Sequence, residues 1–389
     1  VSLRGEANKD TLDLAGDISV TDGSVTIDLI GSSSKDFSRG TVSAELRPIE
    51  FTPDGMQPAS IAPVFGNYLE AVEGRVRAKS DITLDDKGVS ANARLAVEEL
   101  SASVGGIELQ NVSSAVVFDD LFALSTPPGQ IASAAAISAG VPLRNVLVRF
   151  QITPPVDGKT AEPATDTPIG PTFRLQSLDL NLASGSVTAQ PVAFDLADPK
   201  GEVILQVTEA SVEELLDTAQ LEGIKGTGTL SGTIPIFVDG QIIREENGRL
   251  TSDGPGDLRY APDTPPPGLQ AGPEGAGLVL EALADFKYKT ISIDLNGDLA
   301  GTAPTQALLS STNQTEDGTP VVLPPDAGKA SPETQVSMRI EGANPSFYDG
   351  YPVVFNLNVS GDLGNIVAQS LRGYRTPEVV RKRLLEIMQ

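Results

Sequence analysis

"TLDLAGDISV", residues 11–20, alternates along its whole length. Leu12, Leu14, Gly16, Ile18 and Val20 hold the even positions, and Thr11, Asp13, Ala15, Asp17 and Ser19 the odd ones. A two-residue period sends successive side chains to opposite faces of a strand, giving one greasy face and one wet face. After the turn "TDG" the pattern resumes in "SVTIDLI" through Val25, Ile27 and Leu29. It returns in "VRAKSDITL" (Val76, Ala78, Ile82, Leu84), "NVLVRFQI" (Val146, Val148, Phe150, Ile152) and "LDLNL" (Leu178, Leu180, Leu182). Later it gives Ile291, Ile293 and Leu295, then Val353, Phe355, Leu357 and Val359. About twenty such segments, mostly joined by Gly, Asp and Asn turns, predict an extended antiparallel system. No fixed-length repeat runs through them, which argues against a leucine-rich solenoid.

Composition narrows the function. The 389 residues include 28 Lys+Arg and 52 Asp+Glu, a net charge of -24, with no His, Cys or Trp. That removes disulfides, thiolate nucleophiles, sulfur or imidazole metal ligands and the Ser-His-Asp triad. No enzyme activity and no cofactor are expected. The acidic spots, such as Asp85-Asp86, lack the spaced ligands of a calcium loop. An acidic surface also argues against nucleic acid, which needs clustered Lys and Arg. The chain opens "VSLRGEANKD", with no basic n-region or apolar h-region, and no apolar run approaches a membrane span. Val1 enters directly into a β-like pattern, so a piece of a longer protein is expected.

Few helices are predicted. "SVEELLDTAQL" has Ser211 as N-cap and Glu214 three residues on, the pattern of a capping box. A helix is expected from about Val64 to Val72 and another in "GAGLVLEALADF". A C-terminal pair is expected in "GNIVAQSLRGY" and "TPEVVRKRLLEIMQ", with Thr376 as cap and Pro377 at the first helical position. Three proline-rich stretches, 153–172, 261–275 and 302–334, are too long for hairpin turns and are read as surface insertions.

Alternation alone leaves three architectures open: a sandwich, a closed barrel, or a long sheet curled into an open trough whose apolar face lines a groove. About twenty strands at roughly 4.8 Å would extend near ~100 Å in one ladder, useful for spanning a gap.

A glycine-punctuated run adds a resemblance. In "VEELLDTAQLEGIKGTGTLSGTIPIFVDGQIIREENGRLTSDGPGDLRYAP", a short helix is followed by "G-x-G-x-L-S-G-x-I-P-I", a polar turn, "N-G-R-L" and "G-P-G-D-L-R-Y". With "GLVLEALADFKYKTISIDLNGDL" and "VSMRIEGANPSFYDGYPVVFNLNVSGDLGNIVAQSL" it resembles the C-terminal region of the YdbH family over Val203–Leu371. That family belongs to the AsmA-like group, related to TamB and YhdP, and its region has also carried the label "dicarboxylate transport". Upstream the likeness is one of style only. The resemblance implies a mainly β protein, a long antiparallel curled sheet forming an open taco-like groove with a few short helices.

It further implies a periplasmic location in a diderm bacterium, an inner-membrane anchor outside this chain, and phospholipid acyl chains moving along the groove. A small outer-membrane lipoprotein would add strands near the C-terminus. The implied organisation is an upstream β-groove segment (1–152), the insertion 153–172, a YdbH-like region (173–371) carrying the other two insertions, and a basic amphipathic helix (372–389).

The groove-lining candidates are Leu230, Gly232, Ile234, Ile236 and Val238 in the glycine-rich run. To these are added Ile291, Ile293 and Leu295, and then Val353, Phe355, Leu357 and Val359. Most glycines of that run read as bends and close approaches, with Gly232 also leaving width in the groove. The C-terminal segment concentrates cations at Arg372, Arg375, Arg381, Lys382 and Arg383, beside the apolar Val380, Leu384 and Ile387. It reads as an end plug or as a contact for membrane or partner. The competing functions are a dicarboxylate-binding module, which needs converging cations, and a structural envelope protein with a dry core.

Overall fold

The computed structural model of the chain describes residues 2–8, 10–20, 25–61, 69–104, 107–138, 142–155, 170–218, 223–240, 242–262, 280–300, 334–347 and 350–361. The proline-rich stretches fall almost wholly outside these residues, and the C-terminal helical pair falls wholly outside. The protein is mainly β: twenty strands run through the described residues, and helix is confined to three short pieces. The ladders are antiparallel and do not close into a barrel. The chain divides into two compact units, one of residues 1–138, 144–180 and 189–201, the other of 139–143, 181–188 and 202–389.

In the first unit eight strands form a meander, each pairing with the next. They are β1 (Ser2–Ala7), β2 (Thr11–Val20), β3 (Val25–Ser34), β4 (Gly40–Phe51), β5 (Glu70–Asp85), β6 (Gly88–Val104), β7 (Ile107–Phe118) and β8 (Gln130–Ser138). Register sets the alternating residues in rows: Leu14 faces Gly31, then Val42, Ile82 and Ala91 across five strands. Along β5 the apolar positions Val76, Ala78, Ile82 and Leu84 are half-buried, while Arg77, Lys79 and Asp81 are exposed. The wet face carries cross-strand ion pairs, Arg47–Asp28 at 2.8 Å and Arg75–Glu50 at 2.6 Å. The Arg47 hydrogen bond holds the Asp28 carboxyl below its ordinary range.

One end of this sheet is dry. Val25, Ile49, Phe51, Val72 and Ala102 form a buried cluster, against which Met56 and Ile61 pack. The helix there is α1 (Pro58–Ile61), a single turn that starts at a proline, which has no N–H to leave unpaired. The Gln57 side chain then closes the gap. It donates to the Val72 carbonyl at 2.8 Å and accepts from the Val72 N–H at 2.9 Å. The helix expected over Val64–Val72 is corrected at its C-terminal end, because β5 already begins at Glu70; residues 62–68 lie outside the described set. Farther along come β9 (Pro142–Thr153), β10 (Thr172–Leu182), β11 (Gly185–Ala189) and β12 (Val192–Asp195). Phe150 of β9 stacks on Phe173 of β10 with centroids 5.3 Å apart.

The second unit takes in most of β11 and is otherwise built from β13 (Lys200–Ser211), α2 (Val212–Thr218), β14 (Ile224–Gly226), β15 (Thr229–Asp239), β16 (Ile242–Ser252), β17 (Gly256–Tyr260), a helical turn at 280–283, β18 (Phe286–Ala300), β19 (Thr334–Ala343) and β20 (Val353–Gly361). Its main ladder runs β15–β16–β18–β19–β20, and β14 joins it through β17. Ser211 caps α2 as expected, accepting the Glu214 N–H at 3.4 Å. The reciprocal half of the box is absent. The Glu214 carboxylate takes the Ser184 hydroxyl, and the Ser211 N–H donates to the Ala183 carbonyl at 2.8 Å.

Candidate functional site: an apolar face on the second unit

Register assembles the sequence candidates of the second unit strand by strand. Leu230 lies opposite Ser252, and Ile291 opposite Ile340, which faces Phe355. In the next row Gly232 faces Leu250, Leu250 faces Ile293, and Ile293 faces Met338. Then Gly248 faces Leu295, which faces Val336; beyond that Ile236 faces Glu245, and Val238 faces Ile243. Leu357 and Val359 occupy the register positions opposite Met338 and Val336, and Val353 the one opposite Gly342. Five contributors lie outside the candidate set, Ile243, Leu250, Val336, Met338 and Ile340, the last three at alternate positions of β19. Nothing in the sequence pattern singles out Glu245.

Exposure changes along this face. Leu230 is 2% exposed, Ile291 3% and Ile340 2%, and below them Phe286 and Tyr288 are fully buried. Phe286 meets Phe355 edge-on at 5.2 Å. The helical turn at 280–283 is held over this end by Asn344, whose side-chain N–H donates to the carbonyls of Glu281 at 2.9 Å and Ala282 at 3.2 Å. Farther along, Ile234, Ile236, Val238, Ile243, Ile293, Leu295, Val336 and Met338 are only half-buried. A packed sandwich would bury these positions. A lone strand would expose them. Half-burial of these positions, on either side of Leu250 at 5% exposure, is the signature of a face that is sheltered and still open to solvent.

Glycine and proline shape this surface through close contacts. The Tyr288 hydroxyl reaches between Gly228 and Gly256 to donate to the Thr227 carbonyl at 2.6 Å, and a side chain at either glycine would strike the phenol. At Gly232 a side chain would run into the Arg249 carbonyl, so the approach of β16 to β15 accounts for glycine there. The β15–β16 register shifts between Thr233 and Ile236, spanning Pro235, which has no N–H to give a ladder. Across it, β16 has a bulge between Glu245 and Gly248 in its pairing with β18. Asn247 sits there at φ 60°, its N–H donating to the Asn296 side chain at 2.7 Å.

Electrostatics lie on the other face. Arg249 pairs with Asp294 at 2.6 Å, Arg339 with Glu341 at 2.7 Å, Lys287 with Asp257 at 2.7 Å, and Arg244 with Glu246 at 3.5 Å. The bonded carboxylates raise the pKa of Arg249 and of Lys287. Arg244, Arg249 and Arg339, which a dicarboxylate site would need as free cations, are thus already matched by neighbouring carboxylates. In the first unit a hollow of about 780 Å³ borders Arg4, Glu6, Asp13, Ser32 and Asp81, a lining with more carboxylates than cations. No group of three or more potential metal ligands occurs among the described residues. The cationic candidates Arg372, Arg375, Arg381, Lys382 and Arg383, and the apolar Val380, Leu384 and Ile387, lie outside the described residues.

No curated protein and no solved structure matches the chain. A family model does, from residue 2 to residue 323. The match takes in the upstream half, where the motifs offered only alternation and turns, and it ends short of Leu371. The family is described as YdbH-like, intermembrane phospholipid transport protein YdbH, and the chain belongs to it.

Proposed function

We propose that the chain conducts phospholipids between the inner and outer membranes of a diderm bacterium, with acyl chains lying along its apolar β face. The observation that carries this reading is the half-burial of the apolar side chains Ile234, Ile236, Ile293 and Leu295, which flank β16 on one face. Acyl chains require continuous apolar surface with few specific polar contacts. Distributed weak contact suits transfer, whereas one tight pocket would retain the lipid. Membership of an intermembrane phospholipid transport family supports the same reading.

In this proposal the protein works in the periplasm, anchored to the inner membrane in its full-length form. The described pairing of β20 is with β19, and its other edge is the place for a small outer-membrane lipoprotein to add a strand. The segment 372–389 serves as end plug or partner contact. Chemistry on the lipid is not part of the mechanism.

Replacing Ile234 and Ile236 together with Asp puts two charges into the row. Transfer of phospholipid between membranes should fall to background while the far-ultraviolet circular dichroism stays that of a β protein. Undiminished transfer by the folded double variant would refute the apolar path.

A further inference from the structure

Glu245 is out of place on the apolar face. It is 4% exposed, faces Ile236 across β15 and Gly297 across β18, and shares its own strand's inner side with Ile243 and Gly248. Its Oε1 has no hydrogen-bond partner, and the Gly248 N–H serves the carboxyl from within the bulge. A side chain at position 248 would strike Oε1, so Gly248 makes the niche that the carboxyl occupies. No titratable or charged residue faces it from β15, β16 or β18 among the described residues. The nearest ions in sequence, Arg244 and Glu246, point to the opposite face and pair with each other.

An ionised carboxylate in such a niche is under-solvated, and its unpartnered oxygen adds to the cost. Burial accordingly pushes the carboxyl up to about 7, against the Gly248 N–H, which favours the charged form. Its neighbours Ile236, Ile243 and Leu295, which belong to the rows assigned to acyl chains, are only half-buried, so solvent reaches the side chains that border the niche.

We propose that Glu245 is a protonation-controlled gate in the apolar track: neutral, it stays tucked beside Gly248 and the rows are continuous; ionised, it swings out and lays a charge across them. The proton is exchanged with solvent. The gate rests on the lipid-path reading, and it adds a condition under which the path is open.

The test uses the full chain and a phosphatidylcholine with one fluorescent acyl chain, presented in phosphatidylcholine vesicles, so that the head-group charge stays constant near neutrality. Wild-type uptake should be at least about fivefold higher below the Glu245 titration than above it, as the neutral fraction changes. Glu245→Gln should be flat and high, and Glu245→Leu, which suits the apolar niche, should behave alike if the Gln variant folds poorly. Wild-type uptake that is pH-independent, or that runs parallel to both variants, would overturn the gate alone. Absence of uptake by every folded form at every pH would overturn the lipid path beneath it.

Discussion

The two ends of the second unit's apolar face are made of the same strands and the same residue types, yet they end up in different environments. At one end Leu230, Ile291 and Ile340 join Phe286 and Tyr288 in a dry core. At the other, Ile234, Ile236, Ile293 and Leu295 are half-buried. What differs is the cover. The dry end has the 280–283 turn fastened by Asn344, and α2 over β14, where a side chain at Gly226 would meet Val212 and Leu216. Alternation decides which face is apolar. The covering helices decide whether that face becomes core or remains a surface for something else.

The comparison breaks most readily at its dry end. Phe286→Ala should cost about 3–5 kcal/mol by urea unfolding, since it removes a fully buried ring and leaves a cavity. Ile236→Ala, at the open end, should cost about 1 kcal/mol while weakening lipid transfer. Equal costs would mean the two ends are one core. Tyr288→Phe is a finer probe: it keeps the ring and strands the Thr227 carbonyl, so a loss of about 1–2 kcal/mol is expected.

Acidity gives a third handle. The Glu245 carboxyl is raised from 4.5 to about 7 in the fold, so between those values the unfolded chain has lost the proton that the folded chain keeps. The contribution to stability is therefore full below the ordinary carboxyl range and falls as pH rises to about 7. Glu245→Leu should remove this part of the pH dependence, read as the difference between the two urea profiles. Smallest of all, Arg249→Ala on the wet face should leave both the urea midpoint and lipid transfer unchanged, because its ion pair with Asp294 is solvent-exposed.

The strands and their apolar face were legible in the sequence because a period of two maps directly onto the two sides of a sheet. Val146 and Phe150, for example, are buried as their alternation predicts. The cap at Ser211 was legible for the same local reason. What was not legible depends on the neighbouring strand. Gly232 is explained by the carbonyl of Arg249, and Gly228 and Gly256 by a phenol far along the chain. Glu214 has the spacing of half a capping box, but its carboxylate accepts from the Ser184 hydroxyl, a partner thirty residues upstream. Glu245 reads as one more polar residue in a turn-like "REENG", and only the bulge turns it inward beside Gly248. Near α1, only the end of the segment read as helix is described, and there Glu70–Val72 belong to β5, with the Val72 backbone bonded by Gln57.

The central claim is that one face of the second unit carries lipid and the other does not. Photocrosslinking residues placed singly at Ile236 and Leu295, and on the exposed face at Thr233 and Arg249, test it most directly in cells. The account predicts phospholipid adducts at Ile236 and Leu295 and none at Thr233 or Arg249. Adducts at all four positions, or at neither Ile236 nor Leu295, would contradict it.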